Sequence, residues 1–495
     1  MGVFENSINQ WCYGTRSNSG LPKTIEINGR PCYYSNNTEV QRAVCDDKEV
    51  TIIGTCFNAV KDEWGGVQCL CSLDLEEFIV AIEELCGAYV IFRVDKQGVK
   101  IFGDASHLIG VYYGIGKQYG GMAASCEALI VDAEERVSQK AEDVIRGAYS
   151  GGLYLAGDMT VYDSIRCLLP NHYLDMSTMA AKRYFPRAAL MPVHDISEID
   201  SIIDATLEMV SRGIRQYASK TLFALPLTPG GDSRVNCALV RGVVPNVNAA
   251  YYVISNVELQ REPDNVSFIK AIADRMGITD FKVLPEVDVL DDERLEALKK
   301  ECGRIRAWGR KLWCYHPILG GRAIVKGELI DQIGKSPYGR AMPEWMASKF
   351  FLKTILSNTS RQADIEFSKW YENAKANRKG YSMFDLYSWE IRCGRWNSNT
   401  HSISNINGVS NINFFNCTKV LAEWCRIPRR ERKNKCIHRR FISKTMPSVV
   451  DFPVNPYAYR HSRHLTPALS KIIPYWCRWI AQYYMQLIKL LLASR

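Results

Sequence analysis

The chain has 495 residues and a formal net charge of +9, and 47% of its residues are hydrophobic and 23% charged. This composition is ordinary for a soluble globular protein, and the length suggests roughly two to four domains. The 17 cysteines include no Cys-x-x-Cys pair, so the usual zinc spacing is absent. They favour a reducing compartment with free thiols over a disulfide scaffold.

The beginning of the chain, Met-Gly-Val-Phe-Glu-Asn, has neither a charged segment nor an apolar run, so no signal peptide is indicated. We therefore expect a cytoplasmic protein. The positive charge is spread thinly over a long chain. It is compatible with an anionic substrate such as a nucleotide and gives only weak support to nucleic-acid binding.

The first 190 residues contain short β-like runs and little helical periodicity. One helix is predicted from Leu73 to Cys86, and the segment Asp95-Lys-Gln-Gly98 is typical of a hairpin turn. The predicted strands are Val50–Ile53, Tyr89–Val94, Val99–Phe102 and Leu108–Tyr113. Together these elements predict an α+β half built from sheet hairpins.

From about residue 197 the pattern changes to alternating helices and strands, which predicts a parallel α/β sheet. Helices are predicted at Ile199–Tyr217, after Asp232 and at Phe268–Met276, and strands at Phe223, Ala250–Ser255 and Phe281–Leu284. Beyond about Pro343 the sequence is mainly helical. The Asn- and Ser-rich stretch Asn397–Asn416 is predicted to be a loop.

The most informative segment is Phe223 to Arg234, which reads Phe-Ala-Leu-Pro-Leu-Thr-Pro-Gly-Gly-Asp-Ser-Arg. An apolar strand ends at a Thr-Pro-Gly-Gly turn, and a helix starts directly afterwards. Backbone N–H groups at a helix start have no partner within the helix, and they attract anions such as phosphate. The segment therefore predicts a phosphate-binding turn at the carboxyl edge of a parallel sheet. The alternative is an ordinary strand-to-helix connection.

This turn resembles the pyrophosphate-binding loop of the asparagine synthetase family, which is written Ser-Gly-Gly-x-Asp-Ser. Thr228 stands for the first Ser, Gly230 for the second Gly, and Asp232 and Ser233 for the closing pair. Pro229 stands for the first Gly and removes one N–H donor that the family has available.

The resemblance extends over most of the chain. Ala88–Tyr113 is similar to the hairpin region of the family's glutaminase domain, and Gly157–Asp175 is similar to the segment that closes that domain. The resemblance implies that residues 1–190 form a glutaminase-like α+β domain of the N-terminal-nucleophile (Ntn) type. Residues 197–495 would form an α/β synthetase domain of the adenine-nucleotide α-hydrolase (PP-loop) type, with a helical C-terminal part.

The family's glutaminase reaction needs a cysteine directly after the initiator methionine, where the freed α-amino group acts as the base. Position 2 is Gly2, and the nearest cysteine, Cys12, is too far along the chain to share that amino group. We therefore expect no glutamine hydrolysis by this route. The first domain would be a structural remnant or, as the less favoured reading, a domain repurposed to hold a substrate.

The resemblance implies that ATP and Mg²⁺ bind in the second domain. Asp232 would contact the phosphates through Mg²⁺. Arg234 would contact phosphate, brace the loop or simply lie on the helix surface. The residues implied to bind ATP are Leu227, Thr228, Gly230, Gly231, Ser233 and Arg234 at the turn, and Ile254 and Ser255 beside the adenine.

A second family motif, Ser-Gly-x-Gly-x-Asp-Glu, has an eroded counterpart at residues 326–332, Lys-Gly-Glu-Leu-Ile-Asp-Gln. Asp331 matches the Asp and is implied to be a second Mg²⁺ ligand, while the next residue, a Gln, replaces the Glu. Glu328 is the rival ligand, and an acidic helix start is the structural alternative. Lys326 and Lys335 are candidates for stabilising charge on the phosphates during the reaction.

The segment Asp385–Trp396 is similar to the family helix that carries an acid–arginine pair near the active site. Glu390 and Arg392 match that pair and are implied to be catalytic. A buried ion pair that braces the sheet is the structural alternative.

Two later segments bear on partners. The basic run Arg426–Arg440 is predicted to be helical from Pro428, with an apolar side and a solvated cationic face. No aromatic stacking platform accompanies it, so nucleic acid is not an expected partner. Ile472–Ala493 is predicted to be an amphipathic helix that packs on the protein, and membrane contact is the less favoured alternative. Homodimerisation is left open.

These features predict an ATP-dependent, amide-forming ligase that activates a carboxylate as an acyl adenylate and releases pyrophosphate. Ammonia or an amine would then displace AMP. The eroded second motif is more similar to relatives in polysaccharide or natural-product gene sets than to housekeeping asparagine synthetases. Within the enzyme class the rivals are free-ammonia asparagine formation, amidation of a sugar acid, and intramolecular closure as in β-lactam synthetases or lasso-peptide cyclases. A non-catalytic nucleotide-binding scaffold is the rival from another class.

Overall fold

The structure is a computed structural model. It describes residues 4, 6–14, 20–61, 63–64, 66–116, 118–131, 138–146, 155–261, 263–286, 315–336, 343–348 and 360–456. Position 2 and the segment 472–493 lie outside the described residues. We call residues 4–190 the first half and residues 197–456 the second half.

The first half contains two antiparallel sheets. The first sheet has the order β11-β9-β10-β1-β3-β2, and the second has the order β13-β12-β8-β7-β5-β4 with β6 paired to β5. The first sheet comprises β1 Trp11–Tyr13, β2 Lys23–Ile27, β3 Arg30–Tyr34, β9 Tyr112–Gly114, β10 Ala123–Ala124 and β11 Ile165–Cys167. The second comprises β4 Val40–Cys45, β5 Lys48–Asn58, β6 Glu63–Trp64, β7 Leu85–Asp95, β8 Gly98–Gly103, β12 His172–Asp175 and β13 Ala180–Arg183.

The two sheets pack face to face and bury apolar residues from both. The indole ring of Trp11 in the first sheet lies edge-on to Phe92 in the second, with 5.2 Å between the ring centroids. Helices α1 (Val67–Ser72) and α2 (Leu75–Ile82) cover the outer face of the second sheet, and α3 (Gln139–Arg146) contributes to the cluster outside the first. The α+β organisation predicted for this half is therefore observed.

Two sequence predictions for this half were wrong in part. The predicted helix Leu73–Cys86 extends only from Leu75 to Ile82, because Leu85 and Cys86 begin β7, and a predicted strand is mostly absent. Within Leu108–Tyr113, only the last two residues belong to a strand. The carboxylate of Asp104 accepts hydrogen bonds from the backbone N–H groups of Ser106, Leu108 and Ile109. Because a side chain takes these donors, they are not available to a sheet ladder, and the segment forms a tight loop instead. The hairpin turn at Asp95–Gly98 is confirmed.

The second half contains one five-stranded sheet in which every pair is parallel, as predicted. Its order is β16-β15-β14-β17-β18. The strands are β14 Phe223–Pro226, β15 Ala249–Ile254, β16 Asp280–Pro285, β17 Ala323–Val325 and β18 Asn411–Ile412. The chain proceeds from β14 to one edge and then returns to the other side of β14. The strand order therefore reverses between β14 and β17, where open α/β sheets form a ligand crevice.

Helices connect and flank these strands. Helix α4 begins after an N-cap at Asp195 and buries a stripe of residues at helical spacing, including Ile199, Ile203 and Val210. The helices of this part are α4 Ile196–Ala218, α5 Gly231–Val243, α6 Asn256–Arg261 and α7 Asp264–Arg275. The later ones are α8 Arg361–Asn377, α9 Met383–Leu386, α10 Ser398–Ile406, α11 Thr418–Arg426, α12 Arg429–Lys433 and α13 Cys436–Thr445.

The stretch Asn397–Asn416, predicted to be a loop, is mostly regular structure. A π-helical segment, Tyr387–Asn397, continues directly into α10, and β18 follows as the last strand of the parallel sheet. Ile403 and Ile406 are buried, and so are most of the polar residues of α10. Burial in the tertiary structure therefore overrides the weak helix propensity of Asn and Ser.

The two halves share one hydrophobic cluster, which runs from Phe57 and Cys86 to the interior of the parallel sheet. The indole N–H of Trp389 donates to the carbonyl of Ala105 at 2.6 Å, and the side-chain amide of Asn416 donates to Asp104 at 2.7 Å. Within the described ranges, no helix has the length and apolar character needed to cross a membrane.

Candidate active site

The predicted phosphate-binding turn lies at the switch point of the sheet. β14 ends at Pro226, Leu227 donates its backbone N–H to the carbonyl of Tyr251, and α5 begins at Gly231. Thr228, Pro229 and Gly230 are partly exposed at this edge. The turn is thus attached to parallel strands, and it is open to solvent.

Several polar groups of the turn are already paired within it. The backbone N–H of Thr228 donates to the hydroxyl of Ser233 at 3.0 Å, and that of Gly230 donates to the Thr228 hydroxyl at 3.2 Å. The two hydroxyls lie 2.8 Å apart. The donors without an intrahelical acceptor are therefore the first N–H groups of α5, which begin at Gly231.

Asp232 lies in the first turn of α5 and contacts a histidine and a lysine side chain. Its Oδ1 atom is 2.7 Å from Nε2 of His438, and its Oδ2 atom is 3.5 Å from Nζ of Lys335. The same Nζ atom is 2.8 Å from Oδ1 of Asp331. The structure thus brings together three residues that the sequence named separately, and His438 is a fourth member that the sequence did not indicate.

The charges in this cluster shift one another's pKa values. Burial by itself raises the pKa of Asp232, but the hydrogen bond from His438 and the charge of Lys335 outweigh burial and hold it at about 2. For Lys335, burial lowers the pKa, and the carboxylates of Asp232 and Asp331 raise it above its usual value. Asp232 is accordingly a carboxylate and Lys335 a cation near neutral pH.

The end of β17 lies directly beside the start of α5. A Cβ atom on Gly327 would lie 2.6 Å from the amide nitrogen of Asn236, so a larger residue would force the Asn236 side chain to move. Both side-chain polar atoms of Asn236 are buried without a partner in the described part of the chain. Lys326 lies 3.9 Å from Glu328, whose carboxylate is 3.5 Å from the amide of Asn413 after β18. Glu328 therefore lies near both the end of β17 and the end of β18.

Arg234 braces the turn. Its guanidinium donates to the carbonyls of Phe452, Pro453 and Pro229 at 2.5, 2.9 and 3.4 Å. Only 1% of its surface is exposed, so it is not a helix-surface residue. The backbone N–H of Asn455 also donates to Pro229. These bonds tie the segment after α13 to the turn and occupy the guanidinium that would otherwise be available to phosphate.

The carboxyl end of β15 lies next to the turn on its other side. Ile254 is the buried last residue of that strand, and Ser255 follows it and is partly exposed. The hydroxyl of Ser255 accepts the backbone N–H of Glu258 at 3.1 Å, so it caps the short helix α6. These positions are compatible with the location implied for adenine.

Glu390 and Arg392 do not form the pair that the resemblance implies. Glu390 is fully buried and makes a two-bond ion pair with Arg183 of the first half, at 2.5 and 2.8 Å. Asn171 and the indole of Trp370 also donate to Glu390, at 2.9 and 2.8 Å. The guanidinium of Arg392 instead lies over the ring of Trp396, 4.1 Å from its centroid. The structural alternative, a buried ion pair, therefore describes Glu390.

The basic run also differs from its prediction. Pro428 opens a helix as expected, but the cationic face is not wholly solvated. Arg432 is completely buried and pairs with Asp385 at 2.6 Å, and His438 is buried against Asp232. The sequence carries no local signal for His438, because 206 residues separate it from its partner.

The carboxylates of Asp232 and Asp331 are candidate ligands for Mg²⁺. Asp232 and Asp331 are both within reach of the same Lys335 nitrogen, so their oxygens lie near each other. Two carboxylates together with phosphate oxygens are a donor set that suits Mg²⁺. Lys335 occupies the space between them and would have to move. Among the described residues, no cluster of three or more His, Cys, Asp or Glu side chains could hold a metal without such help.

Comparison with known proteins assigns this chain to no family, because no protein-family model matches it and no curated protein matches it significantly.

Proposed function

We propose that this protein is an ATP-dependent ligase of the asparagine synthetase type, which activates a carboxylate as an acyl adenylate. The supporting observation is the position of the turn at Thr228–Gly231. Residues 228–230 are partly exposed, and they lead into helix α5 at the switch point of a parallel sheet, with the charged groups of Asp232, Asp331 and Lys335 beside them. Nucleotide phosphates bind at such positions in open α/β folds.

The described side chains can be given roles in this reaction. The N–H groups at the start of α5 and the hydroxyls of Thr228 and Ser233 would bind the phosphate chain. Lys335 would contact the phosphates once it leaves the carboxylates, and Lys326 would stabilise charge on the α-phosphate. Asp232 and Asp331 would hold Mg²⁺, which supplies charge neutralisation for the departing pyrophosphate.

The reaction proceeds in two displacement steps. A carboxylate oxygen forms a bond to the α-phosphorus, and the bond from that phosphorus to the bridging oxygen breaks with release of pyrophosphate. The nitrogen of ammonia or an amine then bonds to the acyl carbon, loses a proton to solvent or a base, and displaces AMP. The task of the protein is to hold the reactants in line and to stabilise the growing negative charge.

The first half would not supply ammonia from glutamine. Cys12 lies in β1 at the centre of a sheet, where it is completely buried, and its thiol donates to the carbonyl of Leu129 at 3.4 Å. A thiol in that position is not accessible to a substrate. We therefore expect free ammonia or a separate amine to be the nitrogen donor.

Release of pyrophosphate tests the proposal. The full-length protein is incubated with ATP, Mg²⁺, ammonium and pooled carboxylic acids, and pyrophosphate is measured. Asp232→Asn should reduce release at least about a hundredfold, because a metal- and charge-positioning group is lost. The control is Asp204→Asn, a partly exposed acid that pairs with Lys444 away from the turn. Equal release by wild type and Asp232→Asn would refute the site assignment.

A second candidate function is a non-catalytic nucleotide-binding scaffold. The observation that favours it is internal pairing: Pro229 has no N–H, two neighbouring N–H groups bond within the turn, and Lys335 lies between the acids. Calorimetric binding of ATP without pyrophosphate release from any acid pool would support the scaffold. Glutamine hydrolysis above background would contradict the assignment of the first half.

A further inference from the structure

A cleft of about 600 Å³ lies on the outer side of the turn, between α5, α13 and the segment that follows α13. Gly231 forms its boundary with the turn. The lining includes four cationic side chains, Lys433, Lys435, Arg439 and Arg234, and also His438. Among the described residues that line the cleft, none is an Asp or a Glu.

Lys435 is the central cation of this cleft. Its Nζ atom lies 3.6 Å from the position that a Cβ atom on Gly231 would occupy, so it points at the positive end of the 13-residue helix α5. Its ammonium has no carboxylate partner among the described residues. Burial, together with the nearby charges of Lys335, Arg234 and Arg439, lowers the pKa of Lys435, and the carboxylate of Asp232 opposes this only in part. Several positive groups therefore lie close together, and an anion bound in the cleft would stabilise them.

The backbone conformation of Lys435 also favours a role for its side chain in the cleft. Lys435 is the N-cap of α13 and has a φ of 64°, a conformation that favours Gly or Asn. A lysine held in this conformation costs free energy that the surrounding structure must offset. The observed effect of the conformation is that the ammonium lies beside Gly231.

A second buried group, His438, also lines the cleft. It is 3% exposed, and its Nε2 atom is engaged by Asp232. Its Nδ1 atom is buried and has no partner in the described part of the chain, which is a costly state for a polar atom.

Apart from Asn434, the remaining lining is apolar. Ile442, Val450, Phe452 and Val454 complete the cleft. This lining would be of no use to a small inorganic anion, but it would contact the apolar part of a larger molecule. We propose that the cleft is a second oxyanion site, separate from the turn, that binds a phosphate monoester or diphosphate with an apolar body. Lys435 and Arg439 would bind its phosphate group.

Calorimetry with two probes tests this site in the full-length protein. The probes are phenyl phosphate and inorganic pyrophosphate, and the variants are Lys435→Gln and Arg439→Gln. Loss of a charge-assisted hydrogen bond is expected to weaken each probe about tenfold or more. The matched control is Lys444→Gln, on the same helix but paired with Asp204 outside the cleft. Phenyl phosphate should bind more tightly than inorganic phosphate, which is titrated as a reference, because of the apolar lining.

The outcomes separate this proposal from the ligase proposal. Equal affinities in Lys435→Gln and Lys444→Gln would overturn the site. A parallel loss of ATP affinity, with ATP and pyrophosphate competing one for one, would also overturn it, because the cleft would then be the phosphate site of the nucleotide. If the probes bind in a Lys435-dependent manner and neither ATP binding nor pyrophosphate release is detected, the cleft site stands and the ligase proposal fails.

Discussion

Single residues in this molecule show how burial separates a structural acid from a functional one. Glu390 is completely buried, and its two oxygens accept four hydrogen bonds, two of them from Arg183. Such an acid has no capacity left for a ligand. Asp232 is 31% exposed and shared between Lys335 and His438, so its contacts can be exchanged for others when a ligand arrives.

Glu390→Gln should therefore destabilise the protein without acting on a nucleotide site. The buried guanidinium of Arg183 would lose its counter-charge, which costs about 3 to 5 kcal/mol. Urea unfolding measures this loss, and calorimetry on the remaining folded protein should give unchanged ATP affinity. Glu423→Gln is the control, because its half-exposed pair with Arg426 is worth about 0 to 1 kcal/mol. A stable Glu390→Gln variant that has lost activity would contradict this role.

Among the elements, the π-helical segment Tyr387–Asn397 makes the tightest fit between the two halves. Within this segment, Glu390 pairs with Arg183, and the indole N–H of Trp389 donates to the carbonyl of Ala105. A Cβ atom on Gly394 would lie 2.3 Å from Cδ of Pro170 in the loop before β12. Pro170 is a rigid ring, so the contact cannot be relieved by a rotation of its side chain.

Gly394→Ala is expected to destabilise the protein by about 1 to 3 kcal/mol through this overlap. Pro170→Ala removes Cδ, and the double variant should recover most of the loss. The measurement is a double-mutant cycle of unfolding free energies, in which the coupling between the two substitutions should exceed about 0.5 kcal/mol. Additive effects of the two substitutions would show that the overlap is not the cause.

At the scale of the whole molecule, several titratable groups are buried in the shared interior, and they respond to acid in opposite directions. Burial lowers the pKa of His107 to about 3, of His172 to about 4 and of His401 to about 3. Burial raises the pKa of Asp104 to about 6 and of Glu127 to about 7. The histidines make acid destabilising, and the two acids partly compensate for this.

His401 allows one of these contributions to be isolated. Its pKa is lower in the folded than in the unfolded chain, so the unfolded chain binds a proton first as the pH falls below about 6.5. The stability that the neutral ring provides is present above that pH and is lost progressively down to about 3. His401→Gln should therefore lose about 1.4 kcal/mol less stability than wild type between pH 7.5 and 5.5.

Urea unfolding at both pH values measures this difference. His194→Gln is the control, because His194 is exposed. If His401→Gln and wild type lose the same stability between the two pH values, His401 is not held neutral in the folded protein.

The local sequence was sufficient to predict those elements whose conformation depends on residues close by in the chain. The strand–turn–helix at Phe223–Arg234 follows from an apolar run, two glycines and a helix start, and the hairpin at Asp95–Gly98 follows from its turn residues. Alternating patterns also indicated the parallel sheet of the second half. Periodicity and turn chemistry act over a few residues, so they can be read without a structure.

Only the tertiary structure decided which of these groups meet at the site and which further residues join them. β14 pairs with β17, a hundred residues later, and this pairing creates the switch point beside the turn. His438 and Lys435 come from a basic run that the sequence could describe only as a solvated face, and α10 is a helix because its Asn and Ser residues are buried. Long-range pairing and burial depend on the packing of distant segments, and no local pattern encodes which segments meet.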